Sequence, residues 1–196
     1  LEQFLSGHSL IHGAGELGHV SRVAALLHDQ SAHGYPRCLE FITPDALNFL
    51  SQEYLRQTQA IAPGQQYIID KMPGNYLHIG LIKSLFPRAK IIHSRRHPLD
   101  TGLSNYFQFY SHTNPFAFRL EDIASCYRTY TQYMALWIKL YADDIFEVRY
   151  EELTSNLEST GRDVLRFLEL PWEDQMLNTA GSKRVVATAS MHQVRE

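Results

Sequence analysis

Ser94-Arg95-Arg96-His97-Pro98-Leu99-Asp100 joins a β-branched run, Lys90 to Ser94, to a helix that the sequence predicts to begin at Pro98. In α/β proteins ligands gather at such junctions, at the carboxyl end of a parallel strand. The helix start offers free backbone N–H groups and the positive end of the helix dipole. Arg96 adds a planar fork able to grip a phosphate through two contacts. Ser104 falls roughly two turns further along the helix. The alternative is that Arg95 and Arg96 are surface charges and Asp100 a first-turn carboxylate that complements the dipole. A second apolar run, Gln66 to Asp70, ends in Asp70-Lys71-Met72-Pro73-Gly74-Asn75 and places Lys71 at the same edge of the sheet. Two cationic positions thus converge on one place.

The elements that must hold these residues are legible in outline. Gln66 to Asp70, Lys90 to Ser94 and Ile145 to Tyr150 read as buried strands. Helical segments separate them, which implies right-handed crossovers and a parallel sheet with helices on both faces, an α/β fold. Thr43-Pro44-Asp45 predicts a helix N-terminus with proline in the first turn, and Ser155-Asn156-Leu157-Glu158 has capping-box spacing. Leu1 to Leu5 reads as helix, with Ser6-Gly7 as its stop. Tyr127, Tyr130, Met134, Trp137 and Tyr141 define one apolar helix face, whose simple reading is packing on the sheet. Tyr106 to Tyr110 and Asn114 to Phe118 form a less regular aromatic patch in a position to meet substrate.

The 196 residues, 44% of them apolar, suffice for a single domain with a substantial core. A net charge of -3 gives no overall attraction to nucleic acid or to an anionic membrane, so an anion site has to be local. No apolar run reaches the roughly 20 residues that span a bilayer. Cys38 and Cys126 are isolated, which suits a reducing compartment such as the cytoplasm and suggests neither a disulfide framework nor a zinc site. His8, His12 and His19 do not form a metal set, because glycines interrupt any shared helix face and the HExxH spacing is missing. His93 and His97 flank the arginines with no catalytic part assigned.

Several motifs in order resemble one family. They are His8 to Glu16 (HSLIHGAGE), Asp70 to Asn75 (DKMPGN), Phe86 to Asp100 (FPRAKIIHSRRHPLD), Ser104, Val148 to Leu153 (VRYEEL) and Thr188 to Arg195 (TASMHQVR). Together they are similar to the sulfotransferases that use 3′-phosphoadenosine 5′-phosphosulfate (PAPS). The resemblance is strongest to the branch of tyrosylprotein sulfotransferases and bacterial sulfotransferases attached to tetratricopeptide repeats. It implies a P-loop-like α/β fold in which Arg96 and Ser104 hold the 3′-phosphate, Tyr150 packs near the adenine and Ser190 lies on the nucleotide side. Lys71 matches the lysine beside the transferred group, and Glu16 aligns with the glutamate that serves as general base. The glycines of Gly13-Ala14-Gly15-Glu16 let the backbone pass close to a ligand and leave the carboxylate at a helix start, where it can take the acceptor's proton. The plainer alternative for Glu16 is a first-turn capping carboxylate.

The resemblance further implies PAPS as co-substrate, no metal, and a hydroxyl acceptor that is a peptide tyrosine, a sugar or a small phenol. It carries an upstream repeat domain as a possible partner, and the Golgi lumen as the compartment for an animal tyrosine-sulfating relative. The family's glycine-rich phosphate loop is expected ahead of Leu1, so the sequence reads as one catalytic domain over 1–196, cut at both ends and lacking its first strand. Two alternatives stay open at this point: a P-loop nucleotide kinase, and a degenerate interaction module of the same fold.

Overall fold

The computed structural model describes residues 1–108, 110 and 114–177. Four short strands pair in parallel, in two separate pairs: β1 (Ile11–Gly13) with β2 (Tyr67–Ile69), and β3 (Ile91–Arg95) with β4 (Ile145–Arg149). Ile11 faces Tyr67 and Gly13 faces Ile69 in the first pair; Ile91 faces Ile145 and Arg95 faces Arg149 in the second. Parallel neighbours need a long crossover. The first is supplied by α2 (His19–Gln30) and α3 (Pro44–Ile61), the second by α5 (Pro98–Phe107) and α6 (Leu120–Leu140). The remaining helices are α1 (Glu2–Leu5), α4 (Ile79–Leu85), α7 (Tyr150–Ser155) and α8 (Leu157–Phe167).

The α/β class and the three expected strands are present, each within a residue of its expected limits. The fourth strand, β1, lies inside the HSLIHGAGE motif. It is three residues long with His12 at its centre, too short for a periodic signal. Thr43 caps α3 as expected: its Oγ1 accepts from the Ala46 N–H at 3.2 Å, and Pro44 sets the first turn. The capping box at Ser155 does not form. Ser155 closes α7 and its hydroxyl donates back to the Glu151 carbonyl, while Asn156 stands at the N-cap of α8 without a side-chain capping bond, its Nδ2 donating to Ser155 Oγ at 3.2 Å.

Two cores hold these elements. Phe4, Leu5, Ile11, Val148, Val164, Leu165 and Met176 bury one face of both strand pairs against α1 and α8, with Ile69 and Ile92 packed at its edge. Val20, Ala24, Leu50, Leu81 and Leu85 join α2, α3 and α4. The aromatic face of α6 is structural. Met134 is buried, the Trp137 Nε1–H donates to the Tyr76 carbonyl at 2.7 Å, and Tyr130 meets the Tyr76 ring edge-on at 5.3 Å. These contacts fix the turn Pro73–His78, which follows Lys71. Among the described residues no helix is long and apolar enough to cross a membrane.

Candidate active site

Glu16 and Lys71 meet just beyond the carboxyl ends of β1 and β2. The backbone pairing outlasts the strands: Ala14 N–H donates to the Ile69 carbonyl and Lys71 N–H to the Gly15 carbonyl, both at 2.9 Å. Gly15 turns the chain at φ +74°, a left-handed conformation that favours glycine, and its N–H donates to Glu2 Oε1 at 2.7 Å. Gly13 lies close against α1 and the residue after it. A Cβ there would stand 2.4 Å from Ser6 Oγ and 2.9 Å from Glu2 Cγ. With the backbone so held, Lys71 Nζ donates to Glu16 Oε1 at 2.5 Å, and both side chains keep about two-fifths of their surface exposed (37% and 41%).

The surroundings of Glu16 differ from the expectation. Gly18 is the N-cap of α2 and His19 its first residue, so Glu16 stands two residues ahead of the cap. It is neither at a helix start nor a first-turn capping group; Lys71 is its partner. Behind the pair, Tyr54 of α3 donates from its hydroxyl to Asp70 Oδ2 at 2.8 Å and packs edge-on to His19 at 5.6 Å. Burial pushes the Asp70 carboxyl up, against the pull of its hydrogen bond from Tyr54, and the same burial pushes His19 down. This polar layer was not read from the sequence. Asp70 lies in a quoted motif, but nothing in the pattern ties it to Tyr54.

The second cluster forms beyond the carboxyl ends of β3 and β4. Arg96 is in no ion pair among the described residues, and its guanidinium lies over the Tyr150 ring, 5.1 Å from the centroid. Tyr150 opens α7 and is 44% exposed. Arg95, by contrast, donates from Nη1 to Glu147 Oε1 at 2.8 Å, and that carboxylate raises its pKa. His97 is the N-cap of α5, as the motif implied, and its backbone N–H donates to Glu151 Oε1 at 2.7 Å. Ser104 is half-buried in α5. Ser190 lies outside the described residues. Arg96 and Tyr150 are therefore brought together; Glu147 and Glu151, which sequence reasoning passed over, hold the residues on either side of Arg96.

His8 serves the fold: its ring is bonded to the Pro171 carbonyl at 3.0 Å and takes the Leu10 N–H at 3.2 Å. His93 contacts the Tyr130 hydroxyl, and burial lowers its pKa. Among the described residues no group of three histidine, cysteine or carboxylate side chains is placed to hold a metal ion.

Comparison with known proteins bears on this arrangement of two clusters of charged residues past parallel strands. A protein of Aquifex aeolicus (strain VF5), itself uncharacterized, is 35% identical across 100% of this chain, which spans only 27% of that relative. Among solved structures, the sulfotransferase domain from the curacin biosynthetic pathway superposes with a TM-score of 0.64. It covers 97% of this chain and 76% of its own at 17% identity, a likeness of fold alone. The model of the sulfotransferase family matches residues 1–174, a span that takes in both clusters, and on that match the chain belongs to the sulfotransferase family.

Proposed function

We propose that this chain carries the acceptor-side and 3′-phosphate-side machinery of sulfuryl transfer from PAPS to an acceptor hydroxyl. The observation that carries this reading is the juxtaposition of Glu16 and Lys71 at 2.5 Å, in a chain of the sulfotransferase family. The donor supplies the sulfuryl group and a phosphate as leaving group. Transfer forms a bond from the acceptor oxygen to sulfur, breaks the bond from sulfur to the phosphate oxygen, and releases the acceptor's proton. Glu16 takes that proton, and Lys71 stands where negative charge grows on the departing oxygen. A base and a cation placed side by side suit an in-line displacement, in which both ends of the transfer need stabilisation together.

The distal half of the donor falls to the second cluster. Arg96, in no ion pair among the described residues, is available to a 3′-phosphate, and Ser104 on α5 adds a hydroxyl. Tyr150, 44% exposed beside Arg96, offers a ring for the adenine. Ser190 is assigned to the nucleotide by resemblance alone. The acceptor is a hydroxyl compound, with a peptide tyrosine the first class to try and sugars and small phenols the others.

The test is turnover of PAPS by the intact protein with a panel of tyrosine peptides, sugars and phenols. Thermal shift by 3′-phosphoadenosine 5′-phosphate (PAP) is measured in parallel. Transfer that disappears in Glu16→Ala while the PAP shift persists supports the reading. A wild-type protein that PAP stabilises no better than adenosine 5′-phosphate overturns it.

A further inference from the structure

Arg95 and Arg96, neighbours in the chain, have opposite surroundings. Alternation along β3 and β4 sets His93 opposite Glu147 and Arg95 opposite Arg149 on one face, with Val148 turned into the core. Arg95 is thereby drawn to Glu147, and Arg96, one residue on, is left to Tyr150. Immediately after Arg96 the chain enters α5 through His97, an N-cap whose side chain makes no capping bond. In a capping box the residue at the third helical position reaches back to the N–H of the N-cap. That position is Asp100, yet the His97 N–H is taken by Glu151 at 2.7 Å, from a different element. Glu151 directly follows Tyr150. One carboxylate thus fastens the start of the helix bearing Ser104 to the turn bearing Tyr150, with Arg96 between them. The hydrogen bond from His97 holds the Glu151 carboxyl below the usual range, in keeping with an ionised acceptor.

We propose that Glu151 is a positioning residue for the 3′-phosphate site: by accepting the His97 N–H it sets the start of α5, and with it Arg96 and Ser104, against Tyr150. This rests on the reading of Arg96 and Ser104 as the 3′-phosphate group's partners. Glu151 touches the nucleotide at no point in this role. Its negative charge opposes phosphate binding through space, so a hydrogen-bond acceptor without charge serves as well or better.

Binding of PAP and of adenosine 5′-phosphate is measured by calorimetry for the intact protein and for Arg96→Ala, Glu151→Ala and Glu151→Gln. Glu151→Ala is expected to weaken PAP about tenfold while adenosine 5′-phosphate changes by less than about twofold, as loss of one charge-assisted bond implies. Glu151→Gln, which can still accept from the His97 N–H, is expected to bind PAP at least as tightly as wild type. Glu151→Ala that binds PAP like wild type, or loses both nucleotides equally, overturns the proposal. Tighter PAP binding by both variants also overturns it, since it leaves only the charge. If wild type itself shows no preference for PAP, or Arg96→Ala leaves that preference intact, the 3′-phosphate reading fails and Glu151 loses its role with it.

Discussion

Lys71 Nζ and Glu16 Oε1 stand 2.5 Å apart although the residues are 55 positions apart in the chain. The contact is built by backbone pairing that continues past β1 and β2, whose Ile11 and Ile69 pack in the core, so the two loops leave the strands side by side. Both are partly exposed, and exposed pairs contribute roughly 0.2–1 kcal/mol to stability. The pair therefore adds little to the stability of the fold. Glu16→Ala is expected to lower the transfer rate by about 10²-fold or more and leave PAP affinity nearly intact, because a general base acts on the acceptor's proton and not on the nucleotide. Its unfolding free energy should stay within about 1 kcal/mol of wild type. Equal losses of turnover and PAP binding, measured by steady-state kinetics and calorimetry, remove Glu16 from the base's role.

Arg95 and Arg96 should respond differently to the same substitution. Arg96→Ala is expected to weaken PAP by about 1.5–3 kcal/mol more than it weakens adenosine 5′-phosphate, as loss of a charge-assisted contact to the 3′-phosphate implies. Arg95→Ala is expected to change this difference little, since its guanidinium is already held by Glu147. Isothermal titration with both nucleotides separates the two arginines. If they behave alike, the division of labour drawn from their surroundings is mistaken.

That division shows where sequence reading stops. The tandem Arg95-Arg96 and the strand-to-helix junction were plain in the pattern, as were three of the four strands and the Thr43 cap, because each rests on local residue types. Which arginine pairs with a carboxylate depends on the register of β3 on β4, and two runs of five residues do not reveal their register from sequence. The part of Glu151 is hidden in the sequence for a similar reason. Its partner is a backbone N–H 54 residues away, and a main-chain group leaves no mark in a sequence pattern. The glycines before a helical run suggest a helix start at Glu16; the observed start lies three residues later, at His19.

Acid should loosen the junction between α4 and β4. Lys83 is 7% exposed, and its Nζ lies 2.8 Å from Asp144 Oδ2 and donates to the Ala89 carbonyl at 3.1 Å and to the Pro87 carbonyl. The hydrogen bond from Lys83 holds the Asp144 carboxyl below its ordinary 3.8. A carboxyl depressed in the folded state binds protons more readily when unfolded, so it stabilises above the unfolded value and loses that contribution as pH falls through the folded one. Melting temperature is accordingly expected to drop as pH falls below about 4, and to drop less steeply in Asp144→Asn, which has no proton to gain. Parallel slopes for the two proteins place the acid sensitivity elsewhere.

Gly161→Ala sets helix propensity against packing. Within α8, alanine is favoured over glycine by about 1 kcal/mol on propensity alone. Gly161 is buried, however, and a Cβ there would stand 2.3 Å from Phe4 Cζ and 2.6 Å from its Cε1, with Trp172 Cζ3 at 3.3 Å. Phe4 is only 4% exposed, its ring lies 6.1 Å from that of Trp172, and Leu5, Val164 and Leu165 belong to the same core cluster. The ring has to move by about 1 Å into filled space, and overpacking of this kind costs about 1–3 kcal/mol. Packing outweighs propensity, and Gly161→Ala is expected to destabilise by about 1 kcal/mol in urea unfolding. Phe4→Leu removes the ring atoms in question, so the double variant should be more stable than the two single losses predict when added. A stabilised Gly161→Ala, or strict additivity with Phe4→Leu, means that the Phe4 ring yields without strain and that Gly161 is not required for the close approach of α8 to α1.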